Sequence, residues 1–223
     1  MKSNLFFRVI IFLFCIIYSM PVQADKLMEN EAKQWVEEKG RELLVAFGEP
    51  DIIVKYNKLD EMLVSVVDLK YVSKFVIGKY WRNMTPEQRT SYQELFTRYA
   101  LSIYKNFPLD FNADQIKFDV TSVMVADKKT TVKIKLDLSS LLQSNEQTLS
   151  DIYVDFILKK DNEGIKIIDL KLGESSLILS YRSRFYEMIA QNDDDIDWFL
   201  TDLGDITEAA ERTIQENLRQ TEY

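Results

Sequence analysis

The chain has 223 residues, 46% of them hydrophobic and 29% charged, with a formal charge of −8. It contains no histidine and one cysteine, Cys15, which removes the side chains that most zinc sites and activated nucleophiles use. The acidic balance argues against nucleic acid, and against an anionic membrane as a non-specific partner, leaving room only for a local basic patch.

Residues 1–24 read as a targeting segment. Lys2 and Arg8 supply positive charge, and Leu5 to Tyr18 is a short apolar run broken only by Arg8. Val22-Gln23-Ala24 is a small-residue cleavage site. The run is too short and too poorly flanked for a stable membrane span, although an uncleaved anchor is the alternative. Phe14 before Cys15 argues against a lipidated cysteine, which wants small neighbours. Cleavage after Ala24 would remove two positive charges and the cysteine. Residues 25–223 carry no long Gly/Ser/Pro linker, low-complexity tract or repeat, so they read as one domain.

Four amphipathic helices fill the first half. Glu29 to Phe47 carries Ala32, Trp35, Val36, Leu43, Leu44 and Phe47 on one side and stops at Gly48. Asp51 to Val66 has Ile52, Tyr56, Leu59, Leu63 and Val66 in phase. Asp68 is placed to cap a third helix, Leu69 to about Tyr80, with Val72 and Val76 at helical spacing. Thr85, Pro86 and Gln88 form a capping-box start. Behind them Tyr92, Leu95, Phe96, Tyr99, Ile103 and Phe107 make one mostly aromatic face.

The period then changes to two. Ile116, Phe118 and Val120 alternate with polar residues, as do Val132 to Leu138 and Ile152 to Leu158. A fourth strand, Ile165 to Leu172, follows the turn Asp161 to Gly164. Asp127-Lys128-Lys129 reads as a hairpin turn and Leu141 to Leu149 as a polar loop. Short connections predict antiparallel pairing. Ser176 then caps a helix from Leu177 to Gln191; Asp195 starts a short helix ended by Gly204, and Asp205 caps a last one to about Leu218. The order is that of an α+β domain: N-terminal helices, a curved, mostly antiparallel four-stranded sheet, and C-terminal helices enclosing a hydrophobic cavity.

Three stretches invite a chemical reading. Gly173-Glu174-Ser175-Ser176-Leu177 begins like a nucleophile elbow but lacks the second glycine and a histidine base; Ser176 reads better as a cap. Asp193-Asp194-Asp195-x-Asp197 resembles the start of a calcium loop, but Trp198 and Gly204 stand where it wants Gly and Glu. A helix start explains those acids. Asp155, Asp169 and Tyr153 offer acid/base groups of the ketosteroid-isomerase type. Asp151, Tyr153, Asp155 and Lys159 fall on the polar strand face, while Asp169 reads as a structural hydrogen bonder, to a backbone group or to Arg182. No catalytic residue, metal ligand or cofactor is assigned.

Two blocks carry a resemblance. Val76-Ile77-Gly78-Lys79-Tyr80-Trp81-Arg82, Thr85-Pro86-Glu87-Gln88-Arg89 and Phe96-x-x-Tyr99 form the first; Ile167-Ile168-Asp169-Leu170 followed by Ser176 to Phe185 forms the second. In this order they resemble the signature blocks of the MlaC (toluene-tolerance) family and anchor the chain from about residue 29 to 203. The pattern departs at Gly173-Glu174-Ser175-Ser176, where Glu-Gly-Val-Ser is usual, and at Asn192-Asp193-Asp194, where a glycine is usual. Both departures fall in turns.

The resemblance implies a periplasmic phospholipid carrier, not an enzyme, with phospholipid as cargo. Its implied partners are an outer-membrane Mla lipoprotein–porin complex and an inner-membrane Mla ABC transporter complex. The acidic chain would be steered to basic surfaces on them. The alternatives are an isomerase-like or hydrolytic enzyme using the same cavity, and a non-catalytic interaction module. Periodicity leaves open whether sheet and helices meet as a core or stand apart as a pocket. The resemblance implies a pocket, lined by Val76, Tyr80, Phe96, Tyr99, Ile103, Ile134, Leu136, Val154, Phe156, Tyr181 and Phe185, with Arg182 near the head group.

Overall fold

The computed structural model describes residues 20–106, 116–126, 128–137 and 151–220, with the side chains of 20–27, 151 and 220 not described. Residues 1–19 of the expected leader, Phe107, Asp127, Leu138 and the loop 141–149 lie outside them. Among the described residues no helix is long and apolar enough to cross a membrane.

Helix α1 (Met20–Phe47) begins upstream of the expected Glu29, and α2 (Ile52–Val66) is capped by Asp51, whose carboxylate accepts from Ile53 N and Val54 N. Asp68 accepts from Tyr71 N at the start of α3 (Leu69–Ile77). That helix ends three residues earlier than the expected Tyr80, because Gly78 takes φ 53° and a 3-10 turn, Gly78–Arg82, follows. Helix α4 (Pro86–Lys105) opens with the full capping box: Gln88 N donates to Thr85 Oγ1, and Thr85 N to the Gln88 side chain.

The strands are β1 (Lys117–Ala126), β2 (Lys129–Asp137), β3 (Asp151–Asp161), β4 (Gly164–Leu172) and β5 (Ser175–Ser176). They pair in chain order, all antiparallel. The expectation of a curved four-stranded sheet is therefore corrected. A two-residue fifth strand folds back on the end of β4, and the sheet is open and uncurled, with β1 and β5 on its edges. Two irregularities interrupt strict alternation. The register shifts between Val120 and Ser122, so Val123 and Val125, not Ser122 and Met124, continue the apolar face of Phe118 and Val120. It shifts again at Ile157/Leu158, which leaves Ile168 as the extra residue of β4, buried at 2% exposure.

Helix α5 (Leu177–Gln191) is capped by Ser176, whose hydroxyl accepts from Leu179 N. Helix α6 (Ile196–Gln220) runs without a break, so the expected stop at Gly204 is corrected. Leu203, Thr207 and Ile214 are buried along one side of α6, and the helix packs beside α4, where Arg98 and Glu211 pair at 2.6 Å. Tertiary burial overrides the weak helix propensity of one glycine. Nothing lies within 4 Å of a Cβ added at Gly204. Gly204→Ala is therefore expected to stabilise the fold by about 0.5–1 kcal/mol, read as a higher urea midpoint with an unchanged slope.

The sheet and the helical layer meet at β4. Val67 bridges Ile167, and Asp68 N donates to Ile167 O at 3.0 Å. Helix α1 lies across β1 and β2, and it comes close because Gly40 has no side chain; a Cβ there would stand 2.4 Å from the Phe118 ring.

Candidate functional site

The apolar residues form two separate clusters. The first is helical and closed. Tyr92, Phe185, Phe199, Ile189 and Leu203 have no exposure, and Val76, Tyr80, Phe96 and Tyr99 are buried with them. Phe185 sits at the centre, with the rings of Tyr92, Phe96, Tyr99, Tyr181 and Phe199 at centroid distances of 5.4–6.5 Å. Tyr92 donates its hydroxyl to Ser73 O at 2.9 Å, and Tyr80 to Asp194 Oδ1 at 2.6 Å. That bond to Asp194, helped by burial, raises the Tyr80 phenol above its ordinary value; burial alone pushes Tyr92 well up, and burial, opposed by the Arg184 charge, raises Tyr99 and Tyr181. All four stay protonated and neutral at physiological pH.

The second cluster is one face of the sheet under α1. The pairing aligns it in four cross-strand rows: Phe118–Leu136–Ile152, Val120–Ile134–Val154–Leu172, Val123–Val132–Phe156–Leu170, and Val125–Thr130–Leu158–Ile167. Ala32 and Val36 of α1 close over Val132, Ile134, Val154 and Leu158, which are buried. The rows around them are not closed. Phe118, Val120, Leu136, Ile152, Phe156 and Leu170 stay half-buried, and Leu172 is 56% exposed. Beside the buried Thr130, a void of about 10 Å³ is lined by Met28, Ala32, Leu158 and Ile165, room for about one water. An open groove of about 730 Å³ lies elsewhere, between α4 and α6, where Lys105, Glu208, Glu211, Arg212, Glu216 and Arg219 line it together with Ile214 and Gln215, so six of its eight lining side chains are charged.

The eleven residues expected around one pocket therefore divide. Val76, Tyr80, Phe96, Tyr99 and Phe185, with half-buried Ile103 and Tyr181, belong to the helical cluster. Ile134, Leu136, Val154 and Phe156 belong to the sheet. Arg182 is held in the helical layer: its guanidinium donates to Phe75 O and lies 4.0 Å over the Phe75 ring.

Asp155, Asp169 and Asp195 have structural partners. Asp169 accepts from Leu170 N at 2.8 Å, from Ile178 N at 3.1 Å and from the Ser176 hydroxyl at 2.6 Å, tying β4 to the start of α5 and leaving Arg182 aside. Asp195 caps α6 through Asp197 N and Trp198 N. Tyr153 and Asp155 stand on the polar sheet face, where Asp155 lies 3.7 Å from Lys133. No group of three or more metal-binding side chains occurs among the described residues.

Both departures from the usual pattern have a backbone answer. Asp193 and Asp194 take φ of 54° and 60°, the left-handed turn that a glycine would supply. Gly173 has φ 59° just before β5.

Reasoning from sequence passed over Gly78. Its φ of 53° with ψ −116° suits only glycine, and a Cβ would stand 2.2 Å from the Tyr186 hydroxyl. That hydroxyl accepts from Lys79 N at 2.9 Å. The signal available was a glycine directly after an apolar helix run. Gly78→Ala is expected to cost about 2–3 kcal/mol, measured by urea unfolding.

The family model described as MlaC protein matches residues 49–205. A solved structure of a phospholipid-binding protein from Ralstonia solanacearum, in complex with a phospholipid, superposes with a TM-score of 0.66 at 18% identity. The match covers 81% of this chain and 98% of that one, a likeness of fold.

Proposed function

The chain belongs to the MlaC protein family, and from that premise we propose that it is a phospholipid carrier of the periplasm, moving lipid between outer- and inner-membrane Mla complexes and so maintaining outer-membrane lipid asymmetry. The observation that carries this reading is the sheet face. Three rows of side chains run from β1 to β4 and a fourth from β1 to β3, apolar throughout but for Thr130, and the protein's own helices cover only their middle. Acyl chains laid along the uncovered rows would bury what the chain leaves half-exposed. The solved relative, described as binding phospholipid, supports the choice of ligand.

The energetics favour such a role. Burying a methylene is worth about 0.8 kcal/mol, so a sixteen-carbon chain in water costs on the order of 12 kcal/mol. A carrier must shield the tails, and the head group can remain wet. Arg182, bound to Phe75, is not needed for it. Catalysis plays no part in this reading.

Organic extraction of the protein purified from the periplasm, followed by mass spectrometry, tests it. Diacyl phospholipid at near-stoichiometric amounts is expected. Protein that is folded and lipid-free would instead favour an interaction module with a filled core. Release of free fatty acid by the pure protein would favour the enzyme. N-terminal sequencing of the same sample is expected to begin at Asp25.

A further inference from the structure

Charge is unevenly distributed over this acidic chain. Between Leu69 and Thr90 five cations, Lys70, Lys74, Lys79, Arg82 and Arg89, meet one carboxylate, Glu87. Lys70, Lys74, Lys79 and Arg82 are exposed. Among the described residues none of the five is in a salt bridge, although cations elsewhere on the chain, such as Lys58, Lys105 and Lys160, are paired at 2.5–2.6 Å. Three of the five are held on rings instead. Lys74 and Arg89 flank Trp81 at 5.5 and 5.3 Å from its centroid, and Lys79 lies 4.7 Å over Tyr80 and 5.4 Å from Tyr186. Ring faces fix a cation in place without neutralising it. Arg89 spends its fork on Trp81 O and Arg82 O and Lys79 lies within hydrogen-bond reach of the Tyr80 hydroxyl, which leaves Lys74 and Arg82, among the described residues, with their donors unspent.

We propose that this turn between α3 and α4 is a docking surface for an acidic patch on a partner protein. Charge complementarity supplies the attraction, and the pre-placed cations reduce the ordering that binding requires. The border selects a finite acidic patch over a continuous anionic bilayer. Asp194, bonded to Tyr80, and Glu87 adjoin the cations, and they would stand within a Debye length, about 8–10 Å, of any extended negative plane. The site is independent of the carrier reading, since its side chains lie outside the sheet cluster.

Poly-L-glutamate, titrated into the full-length protein at low ionic strength, is the probe, with the Trp81 indole N–H followed by NMR. Saturable shifts of that signal are expected. They should weaken at least about tenfold in Lys74→Glu/Lys79→Glu/Arg82→Glu and on raising salt to about 0.5 M. An unchanged circular dichroism spectrum and lipid content would show that the variant is folded and loaded. No shift at Trp81, or equal binding by the variant, would overturn the proposal. Capture by phosphatidylglycerol vesicles in preference to poly-L-glutamate would overturn it in favour of a bilayer.

Discussion

Phe185→Ala is expected to lower stability by about 3–5 kcal/mol while leaving the lipid bound per folded molecule unchanged. Phe185 has no exposure and is ringed by five aromatic side chains from α4, α5 and α6. Truncation removes the apolar contact and opens a cavity that this shell is badly placed to fill. Tyr92 is anchored by its hydroxyl to Ser73 O, and its other ring neighbours, Phe96 and Phe199, are themselves buried. Edge-to-face pairing at Tyr92, Phe96, Tyr181 and Phe199 adds about 0.5–1.5 kcal/mol per pair to what is lost. Urea unfolding of lipid-free protein gives the first quantity, and mass spectrometry of the native fraction gives the second. If the variant keeps its stability but loses phospholipid, Phe185 lines the cargo site, and the helical cluster is not the closed core described above.

The division into two clusters is what the sequence conceals. Caps are legible because their partners lie within four residues: Thr85 with Gln88, Asp68 with Tyr71 N, Ser176 with Leu179 N. The strict alternation of Val132 to Leu136 and Ile152 to Leu158 makes the register readable too, since one face of a strand repeats every second residue. The bulges at Thr121 and Ile168 shift that phase, so the second half of β1 looks patternless when read linearly. Gly204 was a local stop signal overruled by the burial of Leu203 and Thr207 against distant residues. Arg182 reaches Phe75 across 107 positions, beyond any local pattern. An apolar stripe shows only that a face is covered; whether by side chains or by cargo depends on which layers meet, and that is not local.

The covering of the sheet can be tested at two neighbouring positions of β2. Leu136 and Ile134 are successive inward positions of β2; alternation puts them on one face, and the resemblance implies that both line the cavity. The structure sets them in different surroundings. Ile134 is 5% exposed beneath α1, whereas Leu136, between Phe118 and Ile152, is half-buried. Tryptophan at Ile134 meets closed packing, and overpacking should cost about 1–3 kcal/mol. Tryptophan at Leu136 has room along the uncovered row and should leave the lipid-free fold within about 1 kcal/mol of the parent. Its rings would then occupy the length of about three or four methylenes. At about 0.8 kcal/mol each, excluding them should reduce phospholipid affinity by roughly 2–3 kcal/mol, on the order of a hundredfold. Comparison must be made on lipid-free protein, because bound lipid itself raises apparent stability. Competition between a fluorescent phospholipid and unlabelled lipid on refolded protein measures the affinity. If Leu136→Trp binds lipid like the parent and only Ile134→Trp loses it, the acyl chains lie under α1, and that helix must move aside to admit them.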